Sequence, residues 1–154
     1  MEYIKKEFAA YNVHIIKTKT FKTVTVEVDF LRKIKKEEIT MRNFLGDILL
    51  QSTEDYPTKR LLSKEACKLY NLSINTGSSR IGNFLNLNFT LQYLNEKYTE
   101  TGMQNKSLQF FFDTLFKPNI KDEKFDLKSF NIVKEGIKTD IKSIKDNMTK
   151  YGII

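Results

Sequence analysis

The chain has 154 residues, 40% hydrophobic and 29% charged, with only 2 Pro and 6 Gly, which excludes collagen-like, low-complexity and disordered chains and sets the expectation of a single domain. One Cys and one His exclude a disulfide framework, a cysteine-based zinc site and a multi-histidine metal site within the chain. The net charge of +7 arises from 26 Lys and Arg interleaved with 19 Asp and Glu, so the expectation is a weak general affinity for polyanions, not a concentrated nucleic-acid footprint.

Two strands are predicted first. Tyr11–Thr18 alternates moderately, and Lys22–Phe30 strongly, with Val24, Val26, Val28 and Phe30 on one face and Thr23, Thr25, Glu27 and Asp29 on the other. Period 2 with β-branched residues marks a half-buried strand. The short segment between them predicts that the two form an antiparallel hairpin. Residues 37–53 read as a helix with Ile39, Leu45, Ile48 and Leu49 as its apolar stripe, and Gly46 as an oddity inside it. A turn at Asp55–Thr58 leads to a second helix over Thr58–Tyr70. Ser73–Ser79 reads as a short polar strand, and Asn83–Leu94 as a strand with Leu85, Leu87, Phe89, Leu91 and Tyr93 on one face. A helix follows over Asn105–Phe116 and ends at Pro118. Asp126 is placed to cap a final helix over Leu127–Lys150, striped by Phe130, Val133, Ile137, Ile141, Ile144 and Met148. The order β-β-α-α-β-β-α-α predicts an α+β fold, an antiparallel sheet with helices packed on one face.

Residues suited to catalysis are sparse. His14 falls in a predicted strand and Cys67 in a predicted helix; a lone His or Cys is ordinarily structural or solvated. There is no dinucleotide fingerprint and no phosphate loop, and Thr76–Ser79 is too short a Gly/Ser stretch to cradle a phosphate. Lys134, Lys138 and Lys142, spaced four apart, read as the solvated side of a helix. No apolar run approaches the roughly 18 residues of a membrane span, and the first 16 residues lack the apolar core of a signal peptide. The expectation is a soluble, cytoplasmic chain with no membrane partner.

Four segments, taken in order, carry a resemblance over nearly the whole chain. They are VTVEVDF (24–30), NFLGDILLQSTEDYPT (43–58), SINTGSSRIGNFLNLNFTLQYL (73–94), and LQFFFDTLFKP (108–118) with FDLKSFNIVKEGIKTDIKSIKDNMTKYG (125–152). Their pattern resembles the N-terminal domain of the insulinase-type (pitrilysin, M16) zinc peptidases, in particular the bacterial branch of paired subunits. The resemblance implies a two-layer sandwich of the LuxS/MPP-like kind. It also implies an incomplete domain, because family subunits are markedly longer than a chain stopping at Tyr151-Gly152-Ile153-Ile154.

In active members a His-x-x-Glu-His helix supplies two zinc ligands and a general base, and a downstream Glu completes the metal site. Here the ligand positions align with Asn43 and Asp47, the base with Gly46, and the downstream Glu with Asp140. Glycine has no side chain to take a proton from water, and Asn with two Asp lacks the nitrogen or sulfur donors that zinc favours. The implied function is a non-catalytic, peptidase-like subunit with no metal of its own. It would pair with an HxxEH-bearing subunit that carries the zinc, and contribute chamber wall and peptide contacts. The resemblance places a peptide-binding sheet edge at Ser73, Ile74, Asn75 and Thr76. The competing reading of that segment is an ordinary edge strand kept polar against aggregation.

Two other functions remain open. One is a small basic nucleic-acid-binding protein, resting on the charge and on 12 Phe and 7 Tyr, although most of these aromatics fall on predicted core faces. The other is a truncated remnant with a purely structural role.

Overall fold

The computed structural model describes residues 1–144. It contains strands β1 (Glu2–Glu7), β2 (Asn12–Lys17) and β3 (Thr23–Lys33), then helices α1 (Ile39–Leu49) and α2 (Lys59–Lys68). Strands β4 (Ser73–Ile81) and β5 (Phe84–Leu94) follow, then α3 (Met103–Phe116), a two-residue pair β6 (Ile120–Lys121) and β7 (Lys124–Phe125), and α4 (Leu127–Ile144). The fold is α+β, with antiparallel sheets and four α-helices.

The main sheet has the order β3-β5-β4. Its centre is β5, the strand with the strictest alternation. Leu85, Leu87, Phe89, Leu91 and Tyr93 are all buried. The register sets Val26 and Ile74 opposite Leu91, and Val28 and Thr76 opposite Phe89. Paired residues share a sheet face, so these side chains form one apolar surface. Leu49 of α1, Leu62 of α2 and Phe110, Phe111 and Leu115 of α3 pack into the same core. On the opposite face Asn88 Nδ2 donates to Glu27 Oε1 at 2.8 Å and Asn86 Nδ2 to Asp29 Oδ1 at 2.6 Å. The polar residues of β5 thus spend their amides on the carboxylates of β3.

The predicted hairpin between the first two strands does not form. Residues 12–17 pair with β1, in the register Tyr3↔Ile16 and Lys5↔His14, while β3 pairs with β5. The apolar face of β3 is matched by that of β5, whereas β2 exposes Ile15 and Ile16. The remote partner buries more surface than the adjacent one. β1 escaped prediction because Glu2, Lys5, Lys6 and Glu7 mask its alternation. The β6–β7 turn escaped too. It bends at Asp122 and Glu123, φ +50° and +59°, without the glycine that usually announces such a turn.

Helix α1 ends at Leu49, short of the predicted residue 53. Its last residues give way to a loop in which Thr53 bridges to Pro118 and the Thr53 amide donates to the Tyr56 carbonyl at 2.9 Å. Thr58 caps α2, its Oγ1 accepting from the Leu61 amide, and Asp126 caps α4 through the Ser129 amide, the latter as the sequence leads one to expect. The α4 stripe is only partly covered: Val133 is 6% exposed but Ile141 is 59%. Phe130 packs on Phe44 of α1, ring centroids 4.8 Å apart, so α4 lies against α1 and its Ile141 stays outside the main core. Met148 and the end of the predicted helix lie outside the described residues.

Candidate functional site

Helix α1 carries three of the four motif positions. Asn43 and Asp47 lie four residues apart, hence on one helix face; Asn43 is exposed and Asp47 partly buried. Gly46 is buried and faces the sheet. A Cβ placed on it would lie 2.6 Å from Thr76 Oγ1 and 3.0 Å from Leu87 Cδ1. Thr76 Oγ1 is itself held, donating to the Asn88 carbonyl at 3.2 Å. The glycine that looked like a flaw in the helix is therefore what lets α1 rest directly on β4 and β5. Arg42 fixes the same approach from the other side, its Nη2 donating to the Phe30 carbonyl at 2.8 Å. Nothing in the sequence pattern singled out Arg42.

Asp140, the fourth position, sits on α4 close enough to act on Asp47. Burial pushes the Asp47 carboxyl above its ordinary range, and the negative charge of Asp140 pushes it further the same way. The structure thus brings together a neutral amide, two mutually repelling carboxyls and a glycine. Among the described residues no group of three His, Cys, Asp or Glu converges as a metal site. The donors do not suit zinc, which favours nitrogen and sulfur, and at position 46 there is neither a base nor room for one. Asp47 and Asp140 would repel each other in deprotonated form, and no histidine stands by to relay a proton.

The other titratable candidates lie elsewhere. His14, on β2, shares a hydrogen bond of 2.7 Å with the Tyr3 hydroxyl. Cys67, on α2, is exposed, and its thiol faces Asn71 Oδ1 at 3.7 Å. Tyr3, Phe8, Tyr11 and Phe21, which lie on no predicted core face, are exposed, and so is Phe116, which the periodicity of its helix puts on one. The first three belong to the β1–β2 hairpin and its turn, which has no second layer over it to bury them.

The segment Ser73–Thr76 opens β4, which among the described residues pairs only with β5. Ile74 and Thr76 point to the core face; Ser73 and Asn75 point to the other. Thr76 is the residue that touches Gly46, so the edge strand and the motif helix are neighbours. At the start of the strand lies a cavity of about 240 Å³ lined by Leu50, Lys59, Leu62, Cys67, Ile74 and Phe110, among others. Lys59 Nζ lies at its side, donating to the Leu50 carbonyl at 2.7 Å. The sequence contains no sign of this cavity, because its walls come from α1, α2, β4 and α3.

No protein-family model matches the chain. It is 27% identical over 151 residues to the "Probable inactive metalloprotease YmfF" of Bacillus subtilis (strain 168), a match that takes in 97% of this chain and 35% of that protein. A crystal structure of a conserved protein from Enterococcus faecalis V583 superposes with a TM-score of 0.90 at 27% identity, over 97% of this chain and 36% of that one. The chain therefore spans about a third of the length of each relative, and over that third it shares its fold with the one and its sequence pattern with a metalloprotease described as inactive.

Proposed function

We propose that the chain is a non-catalytic, peptidase-like protein of the insulinase type. In this reading it works beside an HxxEH-bearing partner that supplies the zinc, and it contributes wall and peptide contacts to a shared chamber. The observation that carries the reading is Gly46. At the position of the general base there is no side chain, and Thr76 and Leu87 fill the space one would need. Asn43, Asp47 and Asp140 present only oxygen and amide donors, which are weak company for zinc. The similarity to a protein named as a probable inactive metalloprotease supports the same reading.

The peptide would add itself to the outer edge of β4 at Ser73, Ile74, Asn75 and Thr76, held by main-chain hydrogen bonds that tolerate many sequences. The cavity beside Lys59 would receive one of its side chains. Two measurements test this. A tagged chain, recovered from its native cells, should bring an HxxEH-bearing peptidase subunit with it. The purified chain alone should take up no stoichiometric zinc and cleave no peptide; zinc uptake or cleavage would sink the reading, as would recovery of the folded chain without such a partner.

A further inference from the structure

The end of the main sheet nearest the β4–β5 turn combines exposed apolar and cationic side chains. The register sets Lys33 opposite Phe84, and Phe84 opposite Ile81, with Leu31 two residues earlier on β3. Residues that pair, or lie two apart on a strand, share a face. Leu31, Ile81 and Phe84 therefore stand together on the face turned away from the core, 58%, 54% and 45% exposed. The strands reverse tightly between Ile81 and Phe84 through Gly82, φ +57°, so these side chains lie at the extremity of the sheet.

Cations surround them. Arg32, Lys33, Lys35 and Lys36 follow in sequence, and Arg80 precedes the turn. Arg32 and Lys35 share Glu38, at 3.2 and 3.5 Å. Lys33 and Lys36 make no ion pair among the described residues, whereas Arg80 pairs with Leu85 on the core face and its Nε donates to the Gly82 carbonyl at 2.8 Å. The carboxylates on this face, Asp29 and Glu27, begin further along β3, where Asn86 and Asn88 donate to them. Glu37, exposed, and Glu38 follow Lys36, so the segment 32–38 carries four cations against two carboxylates, and the tip is apolar with a net positive charge.

We propose that this tip is a peripheral docking surface for an anionic lipid bilayer. Leu31, Ile81 and Phe84 enter the headgroup region, while Lys33 and Lys36 meet lipid phosphates. An acidic protein segment would offer the same charge, but its apolar anchors would need a groove. Two cavities among the described residues lie elsewhere, one at the other end of β4 beside Ser73 and Ile74 and one between Tyr56, Leu69 and Phe110. An extremity without a groove fits a deformable surface. The contact is peripheral, since no helix among the described residues is long and apolar enough to cross a membrane. It does not depend on the peptidase-like reading.

The test is co-sedimentation of the 154-residue chain with phosphatidylcholine vesicles and with mixed phosphatidylcholine–phosphatidylglycerol vesicles. Binding is expected to the mixed vesicles only, weakening as salt rises. Lys33→Gln/Lys36→Gln should weaken it about five-fold per cation removed, and Ile81→Ser/Phe84→Ser about ten-fold. Circular dichroism checks that each variant is folded. An independent reading comes from an environment-sensitive fluorophore on Asn83→Cys in a Cys67→Ser background, which should shift to the blue on mixed vesicles. Failure to bind mixed vesicles, equal binding to neutral ones, wild-type binding by both double variants, or an unshifted fluorophore would each overturn the proposal. So would capture of an acidic amphipathic peptide by a chain that ignores vesicles.

Discussion

Gly46 shows how two opposing effects are weighed at one position. Alanine is worth about 1 kcal/mol over glycine inside a helix, yet its Cβ would stand 2.6 Å from Thr76 Oγ1, and overpacking of this kind costs about 1–3 kcal/mol. Gly46→Ala is therefore expected to lower stability by about 1 kcal/mol in urea unfolding. The loss should shrink in a Thr76→Ala background, where the obstructing oxygen is gone. Gly46→Glu, which reinstates the motif's carboxylate, should cost about 3 kcal/mol or more, because an unpaired charge is then forced against the sheet. An unchanged midpoint for Gly46→Glu would mean that α1 can lift away from β4. Asp47 supplies a second prediction. Its carboxyl is raised by burial and by Asp140, so its contribution favours the fold when protonated and is lost as pH rises through the raised folded-state value. Asp47→Asn should be more stable than the parent chain at neutral pH, and the difference should vanish below the ordinary carboxylate value of 3.8. A difference independent of pH would show that the substitution acts through something other than charge. The sequence made the chemical poverty of these positions plain. The closeness of Asp47 to Asp140, and the contact between Gly46 and Thr76, depend on α4 and β4 arriving from residues far along the chain.

At the scale of elements, the strands and helices that were readable are those whose apolar faces meet the core. β5 alternates strictly from Leu85 to Tyr93, and β3 nearly so; both were visible in the residues, and they found each other across some sixty positions of chain. β1 and β2 hold each other in a hairpin outside that sheet, and isolated two-stranded hairpins are marginal in water. Hydrogen exchange should therefore be slowest in β5, which has a neighbour on both sides, and much faster in β1 and β2. Protection of β1 equal to that of β5 would contradict the exposure of Tyr3 and Ile16. The cap of α2 gives a local check: Thr58→Ala removes the Oγ1 that accepts from the Leu61 amide and should cost about 0.5–2 kcal/mol. Periodicity revealed which residues lie on one face, but carried no information on which strand would be the partner. That choice was made by the buried area available to each pairing, so the hairpin expected from proximity gave way.

At the scale of the whole molecule, one core holds the sheet to α1, α2 and α3. Phe111 is fully buried within it. Phe111→Ala should cost about 3–5 kcal/mol, a large part of the total stability of a domain this size; a loss under 1 kcal/mol would show that the core closes over the cavity. Length, composition, alternation and capping residues were enough to establish an α+β fold with antiparallel strands, the positions of its principal helices, and the lack of a metal-binding or nucleophilic motif. These are properties of short stretches, set by side-chain chemistry and by the periods of 2 and 3.6. The pairing of β3 with β5, the seat of α4 on α1, the cavity beside Lys59 and the apolar, cationic tip formed by Leu31, Lys33, Ile81 and Phe84 all bring together residues distant along the chain. Local pattern cannot specify them, because each is the outcome of competition among faces for the same buried surface.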